Sequence, residues 1–441
     1  MNQLSLFMFT CAAVIGSAQA TPDMAQAWQT LSAQSSSLKS LQATLDAKSY
    51  DVQQAKARRL PSLNVSGRWN QLDDEIGLWI DPSIIMPTLK PIYYPIQDDH
   101  FFEAQLTAKL PLYTGGAIQA GINAANAHFN LASAQAEQEK NDLFTTFVER
   151  YLSVQLAEQK VAIRRQALDN LEQHLHRAER MYSEGTLALT EKLQTQVERD
   201  KALRNWRQAT QDVQLASTAY KALFGGEADL PSGELVYQDI QLPSENEINQ
   251  QVHSQSPVLE QLNANRHLLS AGKKLNNADY LPKVAAFAQV ELYPEDLTAL
   301  DPNWSVGIAL EWKLLDPLWY THKQALNSQQ TALQWKKTQV ESDLAVLIQQ
   351  YLSAIDQAHS DYQALLSSID LANENLRLQG KAFEQGLRTS LDKIDAQLLV
   401  TGLELESQKA LFDYYLASAR LYALMQEQSR FLQWVQSAQQ P

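Results

Sequence analysis

The chain has few of the residues that cross-link a protein or interrupt its helices. Its 441 residues include one cysteine, 15 glycines and 15 prolines. The cysteine, Cys11, lies in an apolar N-terminal stretch that ends in Ala18-Gln19-Ala20, the small-residue pattern of a cleaved secretory signal. We therefore predict a signal peptide over 1–20, cleaved after Ala20. The mature chain then offers neither a disulfide nor a thiolate metal site.

Positive charge and long apolar runs are also scarce. Lys and Arg total 36 against 50 Asp and Glu, a net charge of −14. This balance argues against nucleic acid as a partner, because such binding needs a basic surface. After the signal, no stretch approaches the ~20 apolar residues of a transmembrane helix. Any membrane-spanning part would therefore have to be a closed β-barrel, the other structure that satisfies backbone groups in lipid.

Motifs for catalysis and cofactor binding are missing as well. The sequence contains no glycine-rich phosphate loop, no dinucleotide fingerprint and no His-Glu-x-x-His zinc motif. The one close histidine pair, His174 and His176, is spaced so that the two side chains point apart on a helix. We predict no enzyme activity, no cofactor and no metal site.

What the sequence does contain is an internal repeat, marked by two of its few glycines. Gly185 interrupts one long helical stretch and Gly386 interrupts another. Matching residues recur in the same order around both breaks: Leu60-Pro61 with Leu281-Pro282, Tyr151-Leu152-Ser153 with Tyr351-Leu352-Ser353, Lys192 with Lys393, and Gln196 with Gln397. We predict a duplicated unit of helix, strand, strand, long helix and helix, in a chain that is mainly α with a small β part.

Helical patterns fill most of each copy. The copies cover 21–224 and 245–425, with a Gly/Pro-rich linker at 225–244 between them and a tail at 426–441. Each copy is predicted to begin with one helix, to continue through a long helix on the order of 95 Å, and to end with a return helix. The predicted helices are 23–60, 115–182 and 188–224 in the first copy, and 245–281, 318–384 and 389–425 in the second.

Four stretches alternate apolar and polar residues with the period of a strand. They cover 62–71, 101–112, 283–291 and 305–314, with loops at 72–99 and 292–304. Their lengths suit tilted strands that cross a bilayer, although a soluble sheet alternates in the same way. Four strands cannot close a membrane barrel, whose smallest examples have about eight. A barrel would therefore require an oligomer.

The repeat and its junctions resemble the TolC family of outer-membrane efflux ducts. Pro111-Leu112-Tyr113-Thr114-Gly115-Gly116 is similar to the family's Pro-Leu-Phe-x-x-Gly at the junction of strand and long helix. Ser256-Pro257-Val258 is similar to the Asn-Pro-Glu near the start of the second repeat. The resemblance covers about Thr21 to Gln436.

This resemblance implies a homotrimer in the outer membrane of a Gram-negative bacterium. Three chains would form a 12-stranded barrel in lipid and an α-helical barrel through the periplasm, with the linker and the tail in an equatorial girdle. The partners would be a periplasmic adaptor and an inner-membrane pump of the RND, ABC or MFS class. The cargo would be small toxic compounds or proteins. A periplasmic coiled-coil adaptor or scaffold is the alternative interpretation.

The resemblance also assigns residues at the helix tips farthest from the barrel. Asp392 and Asp395 match the family's paired pore aspartates, and residues three apart share a helix face. A threefold ring of such pairs would attract cations at a constriction. The alternative is an ordinary solvated helix start, where acidic residues are favoured by the helix dipole.

The closed state would be held by links between neighbouring hairpins. Arg388 matches a family arginine whose partner position is Thr190. A second family link joins a tyrosine to an aspartate, and these positions are Phe383 and Glu191, so the tyrosine hydroxyl is lost. We therefore predict a less tightly held closed state. The adaptor would dock on the tips themselves, which contain Gly185, Thr186, Leu187, Gly386 and Leu387.

Overall fold

The computed structural model describes residues 23–82, 85, 87–88, 90–231, 233–293 and 302–438. The predicted signal peptide, most of the 292–304 loop and the last three residues of the tail lie outside the described residues. The chain forms two compact units. One unit combines Met1–Lys39, Glu139–Ser254 and Leu344–Pro441, and the other combines Ser40–Gln138 and Gln255–Asp343.

The described residues form a mainly helical chain with a small sheet part, which confirms the predicted fold class. In chain order the elements are α1 (Met24–Gln34), α2 (Ser36–Ala57), β1 (Ser62–Gln71), β2 (Ile76–Ile80), β3 (Ile92–Gln97), β4 (His100–Tyr113), α3 (Ala117–Ser183), α4 (Leu189–Leu223), α5 (Glu245–Gln255), α6 (Pro257–Ala278), β5 (Lys283–Tyr293), β6 (Trp304–Glu311), α7 (Leu318–Glu384), α8 (Ser390–Leu424) and α9 (Gln428–Ala438). The long helices α3 and α7 have 67 residues each, so the two copies match in their longest element.

Two predicted single helices are wrong, because each is divided by a serine. The stretch 23–60 splits at Ser35, whose backbone leaves the helical region with ψ 120 and whose Oγ accepts a hydrogen bond from Leu38 N at the start of α2. The stretch 245–281 splits at Ser256, whose ψ is also 120. There the cause is Pro257, because proline disfavours helix in the residue before it and is itself well suited to the first helical position.

The predicted loop over 72–99 is also wrong in part, because it contains a hairpin. Strands β2 and β3 pair antiparallel, with Trp79 opposite Tyr93 and their ring centroids 5.0 Å apart. The Tyr93 hydroxyl donates to the carbonyl of Glu75 (3.0 Å). Both strands are rich in the β-branched and aromatic residues that favour extended structure, although they are short.

The four predicted strands form one antiparallel sheet in the order β1-β4-β5-β6. Pairing of β4 with β5 joins the two repeats in this sheet. One face carries exposed apolar side chains: Leu63, Val65, Trp69, Val306, Ile308 and Leu310. The other face carries polar groups, including an Arg68–Glu103 ion pair. The apolar face is bare within the described chain, and such a face favours contact with lipid or with another protein.

The linker 225–244 is held against α8 and α9 in the unit that contains them. The Tyr415 hydroxyl donates to the carbonyl of Val236 (2.5 Å), and Ile240 N donates to the Tyr414 hydroxyl (3.0 Å). Trp434 of α9 donates from its ring nitrogen to the carbonyl of Asp239 (3.2 Å). These bonds satisfy backbone groups that a linker without regular structure would otherwise leave unpaired.

Candidate functional site

The two helix tips have the same backbone turn. We call Met181–Glu191 the first tip and Ala382–Asp392 the second tip. In the first, Gly185 N donates to Tyr182 O (3.0 Å) and Thr186 N donates to Met181 O (2.9 Å). In the second, Gly386 N donates to Phe383 O (3.0 Å) and Leu387 N donates to Ala382 O (2.9 Å). Both are Schellman motifs, which require the left-handed conformation that glycine adopts readily.

The return helices begin differently at the two tips. At the second tip, Thr389 and Asp392 form a capping box: Asp392 N donates to Thr389 Oγ1 (3.3 Å), and Asp392 Oδ2 accepts from Thr389 N (2.9 Å). At the first tip, Ala188 occupies the same position and provides no side-chain cap. The hydrogen bonds from the Thr389 backbone and hydroxyl lower the pKa of Asp392, and nearby Arg388 lowers it further. Asp392 is therefore a fixed anion.

A buried chain of hydrogen bonds joins the two hairpins, and we call it the relay. His174 Nε2 lies 2.8 Å from Ser390 Oγ, which lies 2.7 Å from Thr195 Oγ1. The Thr195 hydroxyl donates to the carbonyl of Glu191 (2.8 Å). Since that hydrogen is already used, Ser390 must donate to Thr195 and His174 must donate to Ser390. The relay therefore fixes His174 as the tautomer that carries its hydrogen on Nε2.

The environment of His174 keeps its ring neutral. The side chain is 1% exposed and its ring packs edge-on against Phe383, with centroids 4.9 Å apart. Burial lowers the pKa of His174 to about 4, and the neighbouring positive charges of Lys393 and Arg177 act in the same direction. Phe383 stands where the family's tyrosine hydrogen bond is predicted to be lost. Its ring instead packs against His174, which belongs to the relay.

Two further contacts connect the hairpins near the relay. Ser390 N donates to Glu191 Oε2 (3.2 Å), so the carboxylate of Glu191 bridges the starts of α4 and α8. Arg177 of α3 forms an ion pair with Glu384 at the end of α7. The predicted loss of the bond between positions 191 and 383 is thus accompanied by other links, and our expectation of a less tightly held tip stays a prediction.

The other predicted site residues lie on the tip surface. Asp395 is exposed one turn beyond Asp392 on α8. Arg388 Nη1 is 4.0 Å from Asp392 Oδ1, so its ion-pair partner within the chain is on its own hairpin. Thr190 is exposed, and its link to Arg388 stays a prediction. Leu387 is 73% exposed at the second turn, and Leu187 is half-buried at the first.

The sequence reasoning missed the relay. His174 was considered only with His176 as a metal pair, and the structure buries His174 while exposing His176. The one indication of the relay in the sequence is that His174 is a lone histidine on the apolar face of a helix. Among the described residues, no group of side chains is arranged to hold a metal ion. In the same part of the chain, no helix combines the length and apolar character needed to cross a membrane.

Comparisons with solved structures identify the fold. The chain resembles CusC, described in a study of folding and transmembrane channel formation, with TM-score 0.78 and 14% identity over 92% of each chain. It resembles the outer membrane protein VceC from Vibrio cholerae, with TM-score 0.72 and 14% identity over 91% of this chain and 95% of that one. It also resembles the open state of the Neisseria gonorrhoeae MtrE outer membrane channel, with TM-score 0.71 and 14% identity over 93% and 90%. The fold is that of an outer-membrane channel.

The sequence of the first repeat matches a known family. Residues 27–226 match the family described as "Outer membrane efflux protein". The first repeat thus matches the outer-membrane efflux family, and the whole chain has the fold of outer-membrane channels of the TolC type. A comparison with curated proteins finds no match.

Proposed function

We propose that the protein is the outer-membrane duct of a tripartite efflux or type I secretion system. It works as a homotrimer with a periplasmic adaptor and an inner-membrane pump of the RND, ABC or MFS class, and it exports small toxic compounds or proteins. The observation that carries this proposal is the bare apolar face of the sheet, in a chain that shares its fold with efflux channels over nine-tenths of its length. In the assembled duct, that face contacts outer-membrane lipid.

The lipid contact can be tested by comparing two neighbouring residues of β6. Val306 lies on the apolar face, and Ser305 lies on the opposite face because side chains alternate along a strand. A lysine on a lipid-facing position costs about 2–4 kcal/mol near the middle of the bilayer. We expect Val306→Lys to reduce the amount of trimer extracted from outer membranes with detergent, and Ser305→Lys to leave it unchanged. Wild-type protein found only in the soluble periplasmic fraction would favour the adaptor interpretation instead.

The second tip is the proposed constriction. Asp392 and Asp395 form an acidic ring in the trimer and attract cations. Because Asp392 is held by the capping box, Asp395 has the more accessible carboxylate. We expect block of single-channel current by divalent or trivalent cations to weaken in Asp395→Asn and to be lost in the double alanine variant of both residues. Block that persists in the double variant contradicts the ring.

Arg388 is the proposed closed-state latch, together with Thr190 of a neighbouring hairpin. We expect Arg388→Ala to raise single-channel conductance because it removes the positive end of that link. Arg377 is a matched control, because it is an exposed arginine that forms an ion pair with Glu374 on its own helix. Equal conductance in wild type, Arg388→Ala and Arg377→Ala would show that Arg388 is not a latch.

The adaptor docks on the two turns at Gly185, Thr186, Leu187, Gly386 and Leu387. The exposure of Leu387 supports this proposal, since an exposed leucine at a turn offers apolar area to a helical partner. Crosslinkers placed at Ser183 and Glu384 should capture an adaptor in intact cells. A crosslinker at Ser305 in β6 is the control and should not capture it.

A further inference from the structure

The polar face of the sheet changes in character along its strands. Register partners on adjacent strands place their side chains next to each other, so each level of this face is a row of residues. One row is polar on all four strands and consists of Asn64, Thr107, Gln289 and Ser305. The next row toward the loop over 72–99 contains Ser66 and Gln105, and the Arg68–Glu103 ion pair follows. This half of the face is hydrophilic, as the interior of a water-filled barrel is.

The rows nearer the helices are different. The first of them consists of Ser62, Lys109, Phe287 and Gly307, which are register partners across the whole sheet. The second consists of Pro111, Ala285 and Ala309. Alternation along the strands places all of these residues on the polar face. We call these two rows the Phe287 band, and they form a mainly apolar strip on a face that is otherwise polar.

The ring of Phe287 lies over a glycine on the neighbouring strand. A side-chain carbon at Gly307 would be 2.9 Å from the ring, so the ring occupies the space that a side chain would take. Aromatic rings cover glycines at sheet edges in this way, and Gly307 belongs to the edge strand β6. Phe287 is half-buried, so this contact leaves part of the ring available to another molecule.

Lys109 adds a positive charge beside this ring. It is the register partner of Phe287, and its side chain is exposed. Its ammonium forms no ion pair with the described residues, and neither the Phe287 band nor the polar row next to it, all of which are described, contains an acidic side chain. The next charged pair of positions toward the helices is Lys283 and Glu311, and Lys283 is paired with Asp279. The charge of Lys109 is therefore available to a ligand.

The ring and the charge together select a class of ligand. An aromatic ring can stack on Phe287, and a carboxylate attached to that ring reaches Lys109, because register partners on adjacent strands are only about 5 Å apart. A cationic ligand would be repelled by Lys109. A sugar would find few hydrogen-bonding groups among the alanines of the Phe287 band. The combination therefore favours an aromatic anion.

We propose that the Phe287 band is a contact site for aromatic carboxylates that pass through the barrel. This inference rests on the proposed export function, because the polar face lines a lumen only when three chains close the barrel. Each chain contributes one site, and the three sites lie at the same level of the lumen. The binding is weak, which suits a duct because a cargo must leave a site as readily as it enters.

Two probes of similar size and opposite charge test the ligand class. Para-fluorobenzoate and para-fluorobenzylammonium are each titrated into the full-length protein in a non-ionic detergent, and binding is measured by broadening of the fluorine NMR signal above that in detergent alone. We expect the benzoate to bind about fivefold more tightly than the benzylammonium, the ratio that one exposed ion pair provides. Equal binding of the two probes would contradict the role of Lys109. Absence of benzoate binding would overturn the proposal.

Variants at three positions of the polar face locate the site. Phe287→Ser should weaken benzoate binding about tenfold because it removes the ring on which the probe stacks, and Phe287→Tyr should retain the binding. Lys109→Gln should bind the two probes equally. Gln289→Ser is the matched control, because Gln289 lies on the same strand and the same face in the adjoining polar row, and it should leave both affinities unchanged. Benzoate binding that persists in both Phe287→Ser and Lys109→Gln would refute this location.

The mass of the protein in the same samples separates failure of this site from failure of the proposed function. A trimer that does not bind benzoate contradicts the site and leaves the duct intact. A protein that is monomeric contradicts the duct and, with it, a site inside a lumen, even if it binds benzoate. If Phe287→Ser does not form a trimer, Lys109→Gln decides the outcome, because the exposed lysine can be replaced without loss of packing.

Discussion

The first and second tips have the same turn but different roles for their side chains. Each ends its long helix with a Schellman motif around glycine, with nearly identical hydrogen-bond lengths. Only the second tip begins its return helix with a capping box, and only the second provides the serine of the relay. The duplication therefore preserved the backbone, while the polar links between hairpins depend on residues that occur in one copy.

The counterparts of the relay residues show this difference directly. His174 corresponds to Asn375, Ser390 to Leu189, and Thr195 to Ala396. Asn375 and Leu189 are exposed, so the second possible relay does not form. The relay therefore forms once and not twice, and the predictions below test that asymmetry.

The largest expected effect is the pH dependence of tip stability that arises from His174. The folded pKa is about 4, whereas the ordinary value is 6.5. Between these values the unfolded chain binds the proton and the folded chain does not, so stability falls as pH falls through this range. The full loss is of the order of 3 kcal/mol. Hydrogen exchange of the amides at the start of α8 should measure it.

The control for this effect is His174→Gln, which keeps a donor to Ser390 but does not titrate. Its hydrogen exchange should be independent of pH over the same range, after correction for the intrinsic rate. An equal pH slope in wild type and His174→Gln would assign the effect to other groups near the site, among them Glu384 and Glu191.

The second effect concerns the hydroxyl of Ser390. Ser390→Ala leaves the Nε2 hydrogen of His174 buried without an acceptor, and we expect the free energy of unfolding to fall by about 2 kcal/mol. Ser183 of the first tip is the control, because its hydroxyl is exposed and donates only to Arg180 O. Ser183→Ala should change stability by less than about 0.5 kcal/mol. Comparable losses in both variants would show that the relay hydroxyl stabilises the protein no more than an exposed serine does.

The third effect tests the turn that the tips share. Gly185 has φ 75 and Gly386 has φ 71, and a side-chain carbon at either would meet nothing within 4 Å. The cost of Gly→Ala is therefore conformational and should be about 1 kcal/mol at both tips. Gly402, inside α8 and also without close neighbours, is the opposite control. Gly402→Ala should stabilise the protein by about 0.5 kcal/mol or more. Thermal melts that differ strongly between the two tip variants would contradict an equivalent turn.

The smallest effect concerns the start of the return helices. Thr389→Ala removes the capping box and should cost about 1 kcal/mol. Introducing the same cap at the first tip by Ala188→Thr should gain less, because Glu191 already accepts from Ser390 N. Melting temperatures of the two variants measure this difference. If Ala188→Thr stabilises the protein as much as Thr389→Ala destabilises it, the hydrogen bond from Ser390 N does not prevent Glu191 from capping the start of α4.

Features encoded by local pattern could be predicted from the sequence. Alternation predicted the strands, and the glycines at positions 185 and 386 predicted the turns. The division at Ser256 had a local cause in Pro257, but the long helical pattern concealed it. The relay could not be predicted, because Ser390 lies 216 residues from His174 in the chain and their contact depends on how the hairpins pack. Chemically ordinary residues become a site only through that packing.

The even number of strands in the sheet determines how copies of the chain can pair at its edges. Four antiparallel strands leave β1 and β6 as edges, one from each repeat, and these two edges run in opposite directions. When β6 of one copy lies beside β1 of the next, the junction is therefore antiparallel like every pairing within the chain. The two edges differ, so association is head to tail and continues until a ring closes. An even strand count thus allows identical copies to form one uninterrupted antiparallel sheet.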